Sequence, residues 1–155
     1  MNEQAMTAAR QVLERNITAL NTRDIEAYLA NQRPDVEVLV PGGVALHGRD
    51  ELRRYTEAMW TAFPDGSLAF GDQALAEDVV ATEVVFRGTH TGPMLTPDGP
   101  IPPTGNRVTL RSASILRIKD GLIASEHIYL DQLEMLTQLG LMPAAPSSPD
   151  DRAGQ

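Results

Sequence analysis

Apolar residues recur at three- and four-residue spacing from Thr7 to Asn21, where Ala8, Val12, Leu13, Ile17 and Leu20 mark one side of a predicted helix. A short second helix follows over Asp24 to Leu29, with Asp24 placed to cap it. Pro34 stops it, because proline disfavours helix in the residue before it. Val36 to Val40 is rich in β-branched residues and reads as a strand, broken by Pro41-Gly42-Gly43. Helical spacing returns over Asp50 to Phe63, with Leu52, Tyr55, Met59, Trp60 and Phe63 on its apolar side. Pro64-Asp65-Gly66 supplies turn chemistry at its end.

From Ser67 onward the period changes to two. Leu68 to Glu77 and Val79 to Thr91 predict strands, the latter with Val84 and Phe86 on one face. Gly92 to Gly105 holds five of the eleven prolines and reads as a loop. Arg107 to Ile118 alternates, with Val108, Leu110, Ser112, Ser114, Leu116 and Ile118 on one side. Asp120-Gly121 is a hairpin turn leading into a last strand, Leu122 to Asp131. Gln132 to Leu139 predicts a short helix ended by Gly140. Helices first, then a run of antiparallel strands, argue an α+β fold in one domain over residues 1–142. Residues 143–155 are proline-rich and polar, the composition of a disordered tail.

Composition narrows the function classes. The net charge is -8, which leaves no basic stripe for nucleic acid. Arg107, Arg111, Arg117 and Lys119 lie along one strand and read as a solvated face. There is no cysteine, so thiolate chemistry and disulfides are excluded. No apolar run has the length of a membrane span or the form of a signal peptide, and the expected location is the cytoplasm. A Gly-rich phosphate loop, a metal-ligand cluster and a Gly-x-Ser-x-Gly elbow are all missing, and no cofactor is implied. His90 and His127 match no metal-binding spacing.

The candidate chemistry lies in strand parity. His127, Tyr129 and Asp131 occupy alternate positions of the last strand, so an imidazole, a phenol and a carboxylate share a face. Phe86, Gly88 and His90 share a face of their strand, and Ser112 and Ser114 interrupt an apolar row. With these sets turned inward, the cavity has placed polar groups in an apolar wall. Asp131 is then the acid/base, because an apolar cavity disfavours its charged form and makes it a stronger base. Asp131 also stands directly before a helix, with Glu134 three residues on, the pattern of a capping box. His127 is placed to relay a proton or hold Asp131. His90 either meets a substrate oxygen or fixes its loop, and His47 reads as surface. Tyr55, Met59, Trp60 and Phe63 form a roof, with Trp60 best suited to touch a flat ligand. Ile128 and Leu130 would then face outward and require a second copy to cover them, which predicts a dimer.

The order of elements, with His47-Gly48-Arg49-Asp50, Gly88-Thr89-His90-Thr91-Gly92 and the final His127-x-x-x-Asp131-x-Leu133, resembles the SnoaL-like polyketide cyclases of the nuclear transport factor two and ketosteroid isomerase superfamily. The resemblance covers roughly residues 7–141. It implies a cone-shaped α+β barrel with a deep pocket, dimeric or tetrameric, that closes a ring by intramolecular aldol reaction without a cofactor. It implies Asp131 as the acid/base, with His127 and His90 as pocket histidines. The expected partner is a small hydrophobic, polycyclic substrate. The same cone also hosts isomerases, hydrolases and pure binders, so an epoxide hydrolase-like or ketosteroid isomerase-like enzyme and a non-catalytic ligand-binding cone are the alternatives.

Overall fold

The computed structural model describes residues 3–142. Two helices, α1 (Glu3–Asn21) and α2 (Ile25–Ala30), lead into strands β1 (Gln32–Val40) and β2 (Val44–His47). Helix α3 (Gly48–Ala62) follows, then β3 (Ser67–Ala76), β4 (Val79–Thr89), the short β5 (Met94–Thr96) and β6 (Gly99–Ile101), β7 (Arg107–Lys119), β8 (Leu122–Leu130) and α4 (Gln132–Gln138). Among the described residues, no helix is long and apolar enough to cross a membrane. The expected tail, 143–155, lies outside the described residues.

The helices form where the apolar period placed them. Helix α1 buries Ala9, Val12, Leu13, Asn16 and Ala19. Asp24 caps α2 by accepting the Ala27 N–H at 3.0 Å, which satisfies one of the free donors of the first turn. The C-terminus of α3 is held by Arg23, which donates to the Trp60 carbonyl at 3.2 Å and the Phe63 carbonyl at 2.8 Å.

Six strands make one curved sheet in the order β2-β1-β8-β7-β4-β3. It is mixed rather than wholly antiparallel: β1 runs parallel to β8, from which β2, α3 and strands β3 to β7 separate it in sequence. Three strands lie where the sequence reading put loops or breaks. Strand β2 folds back on β1 through Gly42 and Gly43, both at positive φ (95° and 77°), which glycine adopts without strain. Strands β5 and β6 form a two-stranded ribbon inside the proline-rich segment. Met94 anchors that ribbon, buried in a cluster with Ala62, Phe63, Val108, Leu110 and Leu139. Proline is tolerated there because the ribbon has only two strands, each with one edge unpaired.

One irregularity decides which side chains enter the interior. Next to the hairpin turn, Lys119 pairs with Leu122 and Ile118 with Ile123. One step further Arg117 pairs with Ser125, so Ala124 is an extra residue on β8, a β-bulge. Beyond it Leu116 faces Glu126, Ser114 faces Ile128 and Ser112 faces Leu130. The even-numbered side chains of β7 point inward, and Leu116 is 1% exposed. Glu126, Ile128 and Leu130 therefore point inward too, and His127 and Tyr129 outward. Without the bulge the turn's register would continue, and His127 and Tyr129 would face the interior, because a slip of one residue exchanges the two faces of a strand.

Deleting Ala124 is expected to impose that straight register, burying His127 and Tyr129 and exposing Ile128 and Leu130. The variant should lose its cooperative thermal transition. A melt as sharp and as high as that of the parent chain would show that the bulge does not set the parity.

Candidate functional site

Between the inner face of the sheet and helices α1, α2 and α3 lies a cavity of about 230 Å³. Helix α3 supplies its roof, with Leu52, Tyr55, Thr56, Met59 and Trp60. These positions recur at helical spacing on one side of the helix, so the stripe that predicts core also lines the cavity. Its partly exposed end is aromatic and aliphatic: Trp60, Met59, Leu68, Phe70, Phe86 and Leu130. Arg23 lies over the Trp60 ring, 5.6 Å from its centre, and steadies that rim.

The buried polar residues of the cavity are Asn16, Thr56, Thr82, Ser114 and Glu126, with Tyr28 beside them. Sheet pairing explains part of this grouping. Thr82 lies opposite Ser114 on β4 and β7, and Ser114 is diagonal to Glu126 on β8. Glu126 also lies beside Val38 of β1. It is 8% exposed, and burial pushes its carboxyl above the usual carboxylate range, partly opposed by a hydrogen bond from the Ser114 hydroxyl. Burial and then the Glu126 charge push the Tyr55 phenol up to about 12. The same two causes, against a Thr56 hydrogen bond, hold Tyr28 well above the ordinary tyrosine range. Both phenols thus keep their protons at neutral pH and can only donate them in hydrogen bonds or accept through a lone pair.

Of the candidate site residues singled out in sequence, the structure brings Tyr55, Met59, Trp60, Phe63, Phe86, Ser112 and Ser114 to this cavity. It does not bring Asp131, His127, Tyr129 or His90 there. Asp131 is exposed and caps α4, accepting the Glu134 N–H at 3.1 Å. The capping-box pattern is its local role, although the Glu134 side chain turns away to Gln138 at 3.1 Å. His127 is exposed on the outer sheet face, and Tyr129 beside it is 52% exposed. The bulge at Ala124 is the physical reason for both. It also removes the ground on which a second copy was expected, since Ile128 and Leu130 line the cavity rather than the outer face.

His90 does face inward, yet it lies behind Phe63 and is fully buried. Its Nδ1 accepts the Thr104 backbone N–H at 3.2 Å, so the ring proton sits on Nε2 and the ring is neutral. Burial lowers its pKa, which agrees with that state. The whole Gly88-Thr89-His90-Thr91-Gly92 segment is a packing device. Gly88 leaves room for Phe63 and Phe86, whose rings meet edge to face at 5.2 Å. Thr89 binds Asp65 through its N–H and its hydroxyl, both at 2.7 Å, and these bonds hold the Asp65 carboxyl low. Gly92 lies so close to the Thr61 carbonyl that a Cβ would overlap it.

Sequence reasoning missed Glu126, Tyr28, Thr56, Thr82 and Asn16. The signal for Glu126 was indirect: it is the one carboxylate on the β8 face opposite His127, and its assignment inward needs the bulge. Asn16 carries a clearer signal, a polar residue within the apolar stripe of α1, between Leu13 and Leu20.

The helix-roofed, curved mixed sheet has the nuclear transport factor two-like fold. The chain belongs to the SnoaL-like polyketide cyclase family, whose sequence profile matches residues 10–139. Among solved structures it is similar to TsrD of Streptomyces laurentii, at 24% identity over 92% of this chain and 99% of that one, with a TM-score of 0.77. A proposed SnoaL-like polyketide cyclase of Jannaschia sp. CCS1 superposes with a TM-score of 0.78, at 16% identity over 88% of this chain and 94% of that one. IdmH of Streptomyces antibioticus, whose proposed activity is polyketide cyclisation, shares 27% identity over 84% of this chain and 97% of that one, with a TM-score of 0.71. The first two speak to the fold alone. No curated protein sequence matches the chain.

The raised Glu126 pKa makes stability depend on pH in a definite sense. In the window between its unfolded and folded values the folded chain holds the proton and the unfolded chain does not. Its contribution to stability is therefore full below the unfolded value, falls as pH rises through the window, and levels off above the folded value. Glu126→Gln should remove that fall. Urea midpoints of parent and variant, measured across pH, are expected to diverge as pH rises from about 4 towards 8 in favour of the variant. Parallel curves would show that the carboxyl is not desolvated.

Proposed function

We propose that the protein is an acid/base enzyme of the cyclase type, in which Glu126, not Asp131, exchanges protons with a hydrophobic carbonyl substrate. The single observation that carries this reading is a buried carboxyl opening into an apolar cavity beside two protonated phenols. The ionised Glu126 takes a proton from a carbon next to a carbonyl. The enolate carbon then adds to a second carbonyl of the same molecule, forming one C–C bond. The resulting alkoxide takes the proton back from the Glu126 carboxylic acid. Substrate and product have the same composition, so the step needs neither oxidant nor co-reactant. The cavity contributes by holding the two ends of one chain together, and by excluding water, which strengthens the base.

The partly exposed aromatic rim around Trp60 suits a flat, partly cyclised polyketide, which agrees with the family of the chain. A second reading has its own support. A cavity of about 230 Å³ lies below the roughly 300–1,000 Å³ usual for ligand pockets, which favours isomerisation or hydrolysis of a smaller hydrophobic substrate at the same carboxyl. The products separate the two: a new C–C bond marks ring closure, and oxygen from labelled water marks hydrolysis.

On a polyketide ester substrate, Glu126→Gln is expected to lower kcat/KM by about 10²–10⁴-fold, the usual worth of a positioned acid/base. Asp131→Asn should stay within a few-fold of the parent, because asparagine caps a helix as well as aspartate. In the parent, kcat/KM should rise with pH through an inflection above the ordinary glutamate range. Loss of turnover in Asp131→Asn with turnover retained in Glu126→Gln would reverse the assignment.

A further inference from the structure

The His47-Gly48-Arg49-Asp50 segment and the buried amides beneath α1 have no part in the proton transfer above, yet they form one continuous chain of contacts. Arg49, in the first turn of α3, donates through both Nε, at 3.1 Å, and Nη2 to the backbone carbonyl of Gln32. That double contact fixes the start of β1. The Gln32 side chain is wholly buried, and its Nε2 donates to Asn16 Oδ1 at 2.9 Å. Asn16 is 7% exposed and lines the cavity from α1, with Leu13 and Leu20 on either side.

This arrangement settles which way the Asn16 amide points. A primary amide carries one acceptor oxygen and a nitrogen with two donors. The oxygen is turned to Gln32, so the Nδ2 group is left on the cavity side. Among the described residues Nδ2 has no protein hydrogen-bond partner, and it is not sealed off: the buried side-chain atoms left without one are Gln32 Oε1 and His90 Nε2. The Asn16 oxygen is satisfied by Gln32, whose own Oε1 is the buried acceptor without a partner. The amide pair thus presents an accessible donor with no protein partner, free to meet an acceptor atom in the cavity. The rest of the wall offers Nδ2 mainly apolar carbon.

We infer that Asn16 donates a hydrogen bond to the carbonyl oxygen of the substrate, and that Gln32 is the residue that positions it. The inference rests on the cavity being the substrate site, as in the reading above, but not on which reaction occurs there. It assigns a chemical class: a hydrophobic ketone or ester whose acceptor oxygen meets Asn16, with a neighbouring carbon offered to Glu126. A neutral amide donor suits an enolate oxygen, because it is aimed before the charge develops and needs no proton of its own.

Trp60 is the chain's one tryptophan and lines the cavity, so its fluorescence reports binding. The probes are 1-tetralone, which carries a carbonyl, and tetralin, the matching hydrocarbon. The quantity read is the ratio of their affinities. Asn16→Leu is expected to lower the ketone-to-hydrocarbon ratio by about five- to tenfold while tetralin still binds, the usual effect of losing one buried neutral hydrogen bond. Asn16→Ala serves as the second variant where leucine disturbs packing. Gln32→Leu should lower the ratio by a smaller factor, a change that loss of stability alone would not produce. Asp131→Asn, outside the cavity, should leave the ratio unaltered. An unaltered ratio in both Asn16 variants would overturn the inference, as would its loss in Tyr55→Phe instead, or a parent chain that binds tetralin but not the ketone. A ratio that depends on Asn16, together with no turnover of any carbonyl substrate, would sustain this assignment and remove the acid/base reading alone.

Discussion

One extra residue in a hairpin decides which side chains line the cavity of this molecule. Ala124 shifts the pairing of β8 with β7 by a single position, and every side chain beyond it changes sides. A strand has no intermediate setting: a residue faces the interior or it faces away. The bulge therefore selects which of two polar sets the cavity receives. His127 and Tyr129 go to the outer face, while Glu126 goes inside with Ile128 and Leu130. The hydrophobic pattern enforces the choice. With Ile128 and Leu130 outside, two large apolar side chains would be lost from the wall and an imidazole and a phenol would need burial in their place.

The selected set carries a cost, and the surroundings show how it is met. A buried carboxyl is unfavourable unless it is neutral or hydrogen-bonded. Glu126 receives the Ser114 hydroxyl and is otherwise among apolar walls and phenols, so its proton is held more tightly than in water. The neighbouring tyrosines respond in the same direction, because a nearby negative charge disfavours a second one. The result is a cluster in which both phenols keep their protons at neutral pH and the carboxyl is the more readily ionised group. A structural ion pair would instead have placed a cation against the carboxylate; among the described residues, Glu126 has no such partner.

Most of the fold was legible in the sequence because it rests on period and on turn residues. The apolar stripes of α1 and α3, the Asp24 and Asp131 caps and the Asp120-Gly121 hairpin each follow from local chemistry. The inward row of β7 was legible for the same reason, and with it Ser112 and Ser114. The face of β8 was not. Its inner residues, Glu126, Ile128 and Leu130, and its outer ones, His127 and Tyr129, each mix apolar and polar character, so alternation alone did not say which set was buried. A bulge leaves no mark in composition, and alanine at 124 carries no turn signal. The β5–β6 ribbon was hidden for a different reason: its prolines read as a loop, and its anchor, Met94, acts through a long-range contact with Phe63 and Val108.

The motifs that carry the resemblance thus serve the cavity from outside it. Arg49 fixes the start of β1, and Gln32 at that start turns Asn16 towards the interior. His90 and its flanking glycines seat Phe63 and Phe86 at the far wall. Asp131 starts the short helix whose following residue Leu139 joins the same cluster as Phe63. Each is a polar or small residue whose partner is backbone or a ring, which is why each has a definite sequence signature. The polar groups inside the cavity have weaker signatures, since a lone glutamate on a strand or a lone asparagine in a helix is common in any chain. A sequence pattern in such a cone therefore reports how the chamber is built more directly than what occurs within it, and the step from one to the other requires the register of the strands.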